Sequence, residues 1–524
     1  MIDLTVAQIA EIVGGTLADI TPEAAAERHV TGTVEFDSRA VSPGGLFLAL
    51  PGARSDGHDH AASAVAAGAV AVLAARPVGV PAIVVTPQPP AAGTDAGPAG
   101  VLEHDLDGSG AAVLAALAKL AEAVAAELVA DGLTIIGITG SSGKTSTKDL
   151  VAAVLDPLGE VVAPPGSFNN ELGHPWTVLR ATRRTDYLIL EMSARHPGNI
   201  AALAQIAPPA IGVVLNVGTA HLGEFGSREA IARTKAELPQ AVPESGVVIL
   251  NVDDPAVAAM AHATAAWVVR VSRAGHTDSG PSDVWAENVS LDELARPRFT
   301  LHAMDPRGAV EAEVQLGVYG DHQVTNALCA TAVALQCGAS VEQVAAALAG
   351  AGPVSRHRMQ VTTRPDGVTV IDDAYNANPD SVRAGLQALV WIAHGGEKQS
   401  ARPRRSWAVL GEMAELGEDA ITEHDRIGRL AVRLDVSRLV VVGSGRSMSA
   451  MHHGAVMEGS WGSETDPEAD RGAVNVADGD AALALLRAEV QPGDVVLVKA
   501  SNAAGLGTLA DALAAEDTAG GARQ

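Results

Sequence analysis

The sequence predicts an α/β protein of three domains built on mainly parallel sheets. Short aliphatic runs alternate with alanine-rich helical runs, and uninterrupted runs of that kind suit strands buried on both faces. Helices between such strands indicate α/β units. Breaks rich in Gly, Pro and Ala at 87–110 and 350–353 divide the 524 residues into domains that we place at 1–108, 109–352 and 353–524. The clearest predicted strands are 133–138, 187–190, 211–215, 247–250, 368–371, 407–410, 439–442 and 495–498.

The composition excludes several classes of protein. A formal charge of −26 argues against a nucleic-acid partner, because a phosphate backbone requires a basic surface. No basic segment opens the chain and no uninterrupted apolar run of about 18 residues stands out, so we expect neither a signal peptide nor membrane insertion. Cys329 and Cys337 lie in an apolar helical run and are expected to be buried thiols in a reducing compartment. These features together predict a cytoplasmic protein.

A glycine-rich loop follows the predicted strand 133–138 and precedes a predicted helix over 146–155. Strand, loop and helix in this order are the context that a phosphate-binding loop needs, and they favour such a loop over a chance Gly-Lys-Thr in a glycine-rich chain. In a phosphate-binding loop, backbone N–H groups and the helix N-terminus face the phosphates. Lys144 supplies a positive charge for the β- and γ-phosphates, and Thr145 offers its hydroxyl to Mg²⁺. The spacing is shorter than usual, because Ile138 stands where the first glycine is expected. We expect ATP to contact Gly140, Ser141, Ser142, Gly143, Lys144, Thr145 and Ser146.

Three polar residues downstream of the loop are candidates for a metal site. Glu191 follows a buried strand, and the carboxyl ends of parallel strands are where α/β proteins bind ligands. His221 follows the next strand, and Lys235 lies in a helical run. Taken alone, His221 has the features of an ordinary surface histidine and Lys235 those of an exposed lysine. The neighbouring phosphate loop favours a metal role most clearly for Glu191.

With these motifs in place, the chain resembles the Mur ligases, the ATP-dependent amide ligases of peptidoglycan synthesis, over nearly its whole length. Within that family it is most similar to the branch that adds D-alanyl-D-alanine. The resemblance is carried by 36–39, 43–50 and 56–59 in the first domain, by 167–173, 191–198, 216–225, 251–254 and 320–327 in the second, and by 358–360, 372–379 and 411–417 in the third.

The resemblance implies a role for each domain. The first would bind the UDP-MurNAc-tripeptide, the second would bind ATP on a P-loop and a parallel sheet, and the third would be a Rossmann-like ligase domain. The enzyme would join D-Ala-D-Ala to the tripeptide through an acyl phosphate, giving UDP-MurNAc-pentapeptide, ADP and phosphate. The resemblance also suggests a monomer, and it leaves the general base and the third residue of the stem peptide open.

Site residues follow from the same resemblance. The implied catalytic groups are Lys144, Glu191, His221, Lys235 and Arg358. Two Mg²⁺ ions would be held by Thr145, Glu191, His221 and a carbamoylated Lys235. Beyond the loop, ATP would contact Asn251, His322, Asn326, Arg358 and Asp373. The two other substrates would contact Ser38, Arg39, Asp56, Asn169, Asn170, Ser193, Tyr375, Asn376 and Asn378.

Three positions depart from the family pattern, and two other functions stay open. Gln323 replaces an Asn, Glu412 stands where Asp is commoner, and Asn502 replaces an Arg, so that last loop loses a cation. One alternative is another Mur-type ligase, or a folylpolyglutamate-synthase-like enzyme, with a different amino partner. The other is a P-loop binding module without ligase activity, which would not account for the ordered series from Glu191 to Arg358.

Overall fold

The computed structural model of the protein describes residues 1–53, 55–87, 102–218, 222–305, 308–396, 404–459 and 472–515. Three large sheets with helices packed against them account for most of these residues, so the predicted α/β class is confirmed. The strands of the three sheets fall within the three predicted domain ranges, whereas the boundaries themselves stay a prediction. Among the described residues no helix is long and apolar enough to cross a membrane.

The first domain contains a five-stranded sheet with the strand order β2-β7-β6-β5-β4. β4 to β7 run parallel and β2 pairs antiparallel with β7, while β1 and β3 form a separate antiparallel pair. The elements are β1 Leu4–Thr5, α1 Val6–Val13, β2 Thr16–Ala18, α2 Pro22–Glu27, β3 His29–Val30, β4 Val34–Glu35, β5 Gly45–Leu48, α3 Ala61–Ala67, β6 Ala69–Ala74 and β7 Ala82–Val84.

The second domain is built on a nine-stranded sheet with the order β18-β17-β16-β13-β12-β11-β8-β10-β9, parallel from β9 to β16 and antiparallel at its other edge. Its first part comprises α4 Ser109–Ala130, β8 Thr134–Thr139, α5 Lys144–Leu155, β9 Glu160–Val162, α6 Gly173–Val178, β10 Thr185–Glu191, α7 Asn199–Ile206, β11 Ile211–Val214, α8 Leu222–Phe225, α9 Arg228–Lys235 and α10 Glu237–Ala241. The rest comprises β12 Val247–Asn251, α11 Pro255–Ala258, β13 Trp267–Ser272, β14 His276–Thr277, β15 Gly280–Pro281, β16 Val284–Leu291, β17 Pro297–Asp305, β18 Gly308–Gln315, α12 Gln323–Gln336 and α13 Val341–Gly350.

The third domain has a six-stranded sheet with the order β19-β20-β24-β21-β22-β23, in which only the edge strand β19 is antiparallel. Because β24 returns to the centre between β20 and β21, the carboxyl ends of these three strands meet at one edge. The elements are β19 Gln360–Thr363, β20 Thr369–Asp372, α14 Pro379–His394, β21 Ser406–Leu410, α15 Ala420–Arg433, β22 Arg438–Val442, α16 Arg446–Gly459, β23 Gly472–Val476, α17 Gly479–Glu489, β24 Val495–Lys499 and α18 Gly507–Ala515.

The prediction of a surface insertion over 454–472 is wrong for residues 454–459, because these residues belong to helix α16. Helix α16 continues to Gly459 and packs closely on α15, where a Cβ added to Gly428 would lie 1.9 Å from the carbonyl oxygen of Met451. A Cβ added to Gly454 would likewise lie 2.4 Å from the carbonyl oxygen of Asp425. The glycines therefore serve a close helix–helix contact rather than a loop. Residues 460–471, like 88–101 of the predicted interdomain loop, lie outside the described residues.

An aromatic cluster joins the first domain to the second. Trp176 on α6 donates a hydrogen bond from its indole N–H to the carbonyl oxygen of Val34, at 2.7 Å. Its ring lies 4.9 Å from that of Phe168 and 5.8 Å from that of Phe36 in the first domain. Aromatic pairs at these separations stabilise the contact between the elements that carry them. The cluster therefore fixes the first domain beside 167–173, the segment whose Ser167 contacts Thr145 of the glycine-rich loop.

Candidate active site

The glycine-rich loop connects β8 to α5 as predicted. Gly143 caps the helix with φ of 83°, a left-handed conformation that costs glycine nothing. A Cβ there would also lie 2.8 Å from Oδ1 of Asn326 on α12, so glycine is required by close approach as well as by conformation. Lys144 begins the helix, and its ammonium donates to the carbonyl oxygen of Gly140 at 2.6 Å. The loop, Lys144 and Asn326, all of which are predicted to contact ATP, therefore lie together.

Asn216 binds the backbone of the glycine-rich loop at Ser141 and Ser142, a role that the sequence did not reveal. Its Oδ1 accepts hydrogen bonds from the backbone N–H groups of Ser141 and Ser142, both at 3.0 Å. Its Nδ2 donates to the carbonyl oxygen of Ser142 at 3.2 Å. Asn216 lies two residues after the end of β11, and polar residues near the ends of buried strands are the signal that could have identified it.

Thr145 and Glu191 lie side by side at the carboxyl ends of the central strands. The Thr145 hydroxyl lies 2.7 Å from that of Ser167 and 3.4 Å from Oε2 of Glu191. Asn169 donates to the same Glu191 oxygen at 3.3 Å. The segment 167–169 therefore lies against the start of α5, and the structure brings Asn169, a predicted substrate residue, beside the predicted metal ligands Thr145 and Glu191.

Glu191 is buried, and one of its oxygens has nothing to bind. Only 1% of the residue is exposed, and Oε1 has no hydrogen-bond partner among the described residues. Burial raises the pKa of this carboxyl above its usual value, and the nearby cations of Lys148, Lys144 and Arg358 act in the opposite direction. A buried carboxylate oxygen without a donor is well suited to a cation.

Arg358 enters the site from the third domain. Its guanidinium donates to the Ser167 hydroxyl at 3.0 Å and to that of Thr145 at 3.4 Å. The same group lies 4.5 Å from the centre of the Tyr375 ring, a cation–π distance. The site is therefore assembled from two domains, with Arg358 placed against Thr145 at the start of α5 and against Ser167.

Lys235 is buried at the end of α9, with 8% of the residue exposed. The expectation from its helical run alone, an exposed lysine, is therefore wrong. Its pKa is lowered well below the usual value, chiefly by burial and also by the positive charge of Lys144. Lysine is rarely buried without a partner. His221, the other residue predicted beside it, lies outside the described residues.

Two further buried lysines lie near the site and were not assigned a role from the sequence. Lys148 on α5 donates to the carbonyl oxygen of Pro164 at 2.9 Å and to the Ser355 hydroxyl at 3.3 Å, and so ties the second domain to the start of the third. Lys499 ends β24 and donates to Asp373 at 2.5 Å. A lysine that directly ends an aliphatic strand was the available signal for Lys499.

Three other residues that are predicted to contact ATP, Ser146, His322 and Asn251, lie in separate parts of the second domain. Ser146 lines a narrow cavity between α5 and the segment that enters the third domain, together with Arg358. His322, at the start of α12, has its pKa lowered by burial, although the Asp373 carboxylate acts to raise it. Asn251 lies at the end of β12, where its Nδ2 donates to the carbonyl oxygen of Leu215 at 2.8 Å, so part of its side chain stabilises the sheet edge.

The predicted UDP-side residues lie in the first domain. Arg39 is exposed and forms a two-point ion pair with Asp37, at 2.9 and 2.7 Å. That arrangement lowers the pKa of the Asp37 carboxyl to about 2. Ser38 stands between them and is partly exposed. Asp56 instead caps the following turn and pairs with His58 at 2.6 Å.

The remaining predicted substrate residues lie on both sides of the domain boundary. Asn170 caps the turn into α6 by accepting from the N–H of Gly173 at 2.9 Å. Ser193 is partly exposed, and its backbone N–H donates to the carbonyl oxygen of Asn169 at 3.3 Å. Asn376 is exposed. Asn378 is the N-cap of α14, and its side chain accepts from the N–H of Ser381 at 2.9 Å. Its oxygen is therefore engaged by the helix.

Known protein families match the chain in three successive segments. Residues 31–122 match the model described as Mur ligase family, catalytic domain. Residues 138–334 match the Mur ligase middle domain, and residues 357–502 match the Mur ligase, glutamate ligase domain. The three matches follow the order of the three sheets.

Individual proteins of the Mur ligase family also match the chain in sequence and in structure. The chain is 81% identical over 526 residues to the UDP-N-acetylmuramoyl-tripeptide–D-alanyl-D-alanine ligase of Mycobacterium tuberculosis, with 100% of each chain covered. The crystal structure of MurF from Acinetobacter baumannii superposes with a TM-score of 0.76 at 28% identity, covering 98% of this chain and 99% of that one. MurF from Thermotoga maritima in complex with ADP gives 0.69 at 27% identity, with 93% and 97% covered. The chain therefore belongs to the Mur ligase family and is an ATP-dependent peptide ligase.

Proposed function

We propose that this enzyme joins D-alanyl-D-alanine to the terminal carboxylate of UDP-MurNAc-tripeptide, with ATP as the source of energy. The relative that shares 81% of its sequence carries the name of that reaction. The observation that carries the proposal is the position of Arg358, a third-domain residue within hydrogen-bond distance of Thr145 and Ser167 beside the nucleotide loop. A site formed between two domains can bring an activated carboxylate to an amine bound on the opposite face.

The chemistry requires activation of a carboxylate. The terminal carboxylate attacks the γ-phosphorus of ATP, ADP leaves, and an acyl phosphate forms. The amine of the dipeptide then attacks the acyl carbon, and the tetrahedral intermediate expels phosphate as the amide forms. Each step gathers negative charge, which Lys144 and Arg358 are placed to stabilise.

The residues fit bound Mg²⁺. The unpartnered Oε1 of buried Glu191 lies beside the Thr145 hydroxyl, and oxygen ligands of this kind suit Mg²⁺. Thr145 and Glu191 would hold one ion, and His221 and Lys235 would hold a second. Bound there, the ions would offset the charge of the phosphates.

Carbamoylation would give Lys235 the charge that this second site needs. An ammonium would repel a divalent cation, whereas the carbamate formed from a neutral amine and CO₂ is a carboxylate-like ligand. Burial and Lys144 lower the pKa of Lys235 and so favour the neutral amine. Its burial thus supports the modification.

The other two substrates would lie on opposite sides of the nucleotide loop. Ser38, Arg39 and Asp56 would contact the UDP end, and Asn169, Asn170 and Ser193 would guide the peptide toward Glu191. Tyr375 and Asn376 would contact the incoming dipeptide. Asn378 would support them by beginning α14.

On the nucleotide side, we place ATP against the whole glycine loop, with Asn326 beside it. Asn251, His322 and Asp373 would form the more distant contacts. Because the substrates are the nucleotide-linked precursor and ATP, we place the reaction in the cytoplasm. We expect the enzyme to work there as a monomer on small molecules.

A phosphate-release assay tests the proposal. The enzyme would be given ATP, Mg²⁺ and UDP-MurNAc-tripeptide, and one amine at a time from D-Ala-D-Ala, D-Ala, L-Lys, meso-diaminopimelate and L-Glu. We expect release only with D-Ala-D-Ala, together with the mass of the pentapeptide product, and none from Lys144→Ala. Turnover with another amine would assign a different ligase, and binding of ATP without turnover of any amine would favour a non-catalytic module.

A further inference from the structure

Arg358 stands between two residues with a strained backbone. His357 has φ of 57° and Met359 has φ of 48°, the left-handed region that residues with a side chain rarely adopt. Two such residues around one side chain are unusual, and strain of this kind persists only where surrounding contacts enforce it.

Asp372, the last residue of β20, and Asp373, which follows it, bind the two residues on either side of Arg358. Nδ1 of His357 lies 2.7 Å from Oδ2 of Asp372, and the side chains are only 19% and 9% exposed. The backbone N–H of Met359 donates to Oδ1 of Asp373 at 3.2 Å, and Asp373 is itself bound by Lys499. The end of a rigid strand thus fixes the residue before Arg358 and the residue after it.

Further contacts secure His357. Its carbonyl oxygen accepts from the N–H of Tyr375 at 3.2 Å, and Tyr375 is the residue on which the Arg358 guanidinium stacks. The imidazole lies over Gly507, where a Cβ would be 3.0 Å from Nε2. Gly507 begins α18, so the ring is enclosed by strand, turn and helix.

We propose that His357 and Asp372 are a positioning pair that holds the Arg358 guanidinium against Thr145 and Ser167. The pair acts on Arg358 through its backbone and through Tyr375, whose N–H binds His357 and whose ring lies under the guanidinium. Asp511 lies close enough to complete a three-residue cluster with the pair, but it is exposed and binds Arg356 at 2.8 Å. That arrangement favours positioning of the turn over metal binding.

The test is a double-mutant cycle, measured as phosphate release. His357→Ala is expected to lower kcat about 10- to 100-fold, the cost of misplacing a catalytic group by about 1 Å, with little change in KM for the dipeptide. Because His357 acts through Arg358, adding His357→Ala to Arg358→Ala should cause no further loss. His357→Asn, which tolerates the left-handed backbone and keeps an N–H donor, should recover part of kcat.

Arg356→Ala is the matched control, since it alters the same turn at an exposed side chain, and it should keep the original kcat. Thermal melting identifies folded variants, and Asp372→Asn takes the place of His357→Ala if the latter does not fold. Unchanged kcat in the folded variant, or an equal loss in both backgrounds, would overturn the inference. The inference rests on the role proposed for Arg358, which fails separately if Arg358→Ala keeps full activity.

Discussion

Buried lysines are concentrated where the anionic substrates would bind. Lys148, Lys235 and Lys499 are buried, Lys144 beside them in the glycine-rich loop is half-buried, and the chain has only two other lysines, Lys119 and Lys398. Removing an ammonium from water is costly unless it gains a partner. This concentration of the chain's few lysines favours the binding of phosphate and carboxylate groups.

Lys235→Ala tests the carbamate. Loss of a metal ligand should lower kcat by about 100-fold or more, since loss of an outer partner of a metal ligand already costs 10- to 100-fold. Because the carbamate supplies a carboxylate, formate or acetate should restore part of the rate. Exposed Lys119 provides the control, and Lys119→Ala should keep full activity with no response to the acids. Full activity in Lys235→Ala would refute the carbamate.

The Mg²⁺ requirement should depend on pH through Glu191. Burial raises the pKa of its carboxyl, so protons compete with the cation at a higher pH than for an ordinary glutamate. As pH falls toward that raised pKa, the Mg²⁺ concentration for half-maximal rate should increase. Steady-state Mg²⁺ titrations at several pH values measure the effect.

Two variants test whether the pH dependence of the Mg²⁺ requirement arises from Glu191. Glu191→Gln should need more Mg²⁺ at every pH and lose most of the dependence, whereas Glu171→Gln, at an exposed glutamate of the same region, should match the unmodified enzyme. A pH dependence that survives in Glu191→Gln would assign the competing proton to another group.

At the scale of elements, strand ends supply most of the site. The loop follows β8, Glu191 ends β10, Asn216 follows β11 and Lys499 ends β24. Aliphatic runs followed by polar residues made several of these positions predictable. The sequence could not show which strands are neighbours, because strand order depends on the crossovers of the folded sheet.

Asn378 is predicted to bind substrate, and in the structure it stabilises the start of a helix. Its side chain caps α14, and Asn378→Ala should reduce stability by about 1 kcal/mol. Asn378→Ser keeps a capping oxygen and should retain both stability and KM for D-Ala-D-Ala. Chemical denaturation and steady-state kinetics measure the two. A stable Asn378→Ser enzyme with a much higher KM would instead indicate direct substrate contact.

For the whole molecule, the third domain approaches the second at several points. A Cβ added to Gly417 would lie 2.5 Å from Cα of Gly223 on α8, so the two backbones nearly touch across the domain boundary. Nearby, Arg195 donates to Glu415 at 3.1 Å. Arg358 lies in the same interface, so the separation of the domains controls its distance from Thr145.

Gly417→Ala should therefore impair catalysis by holding the domains apart. The added methyl group meets backbone that cannot move away alone, and we expect kcat to fall about tenfold or more, as for other small misplacements of catalytic groups. Gly505→Ala is the matched control, since φ is also positive at 68° but no atom lies within 4 Å of the added carbon. Equal rates for the two variants would show that this contact does not set the domain separation.

The sequence by itself determined the α/β class, the glycine loop and the polar residues that end buried strands, because periodicity and loop chemistry are local properties of the chain. Motifs in order along the chain also identified the family. Tertiary structure alone decided that Lys235 is buried, that Asn216 braces the loop, and that Arg358 is held between two strained residues beside Thr145. Burial, and contact between residues about 200 positions apart, arise only when the domains pack.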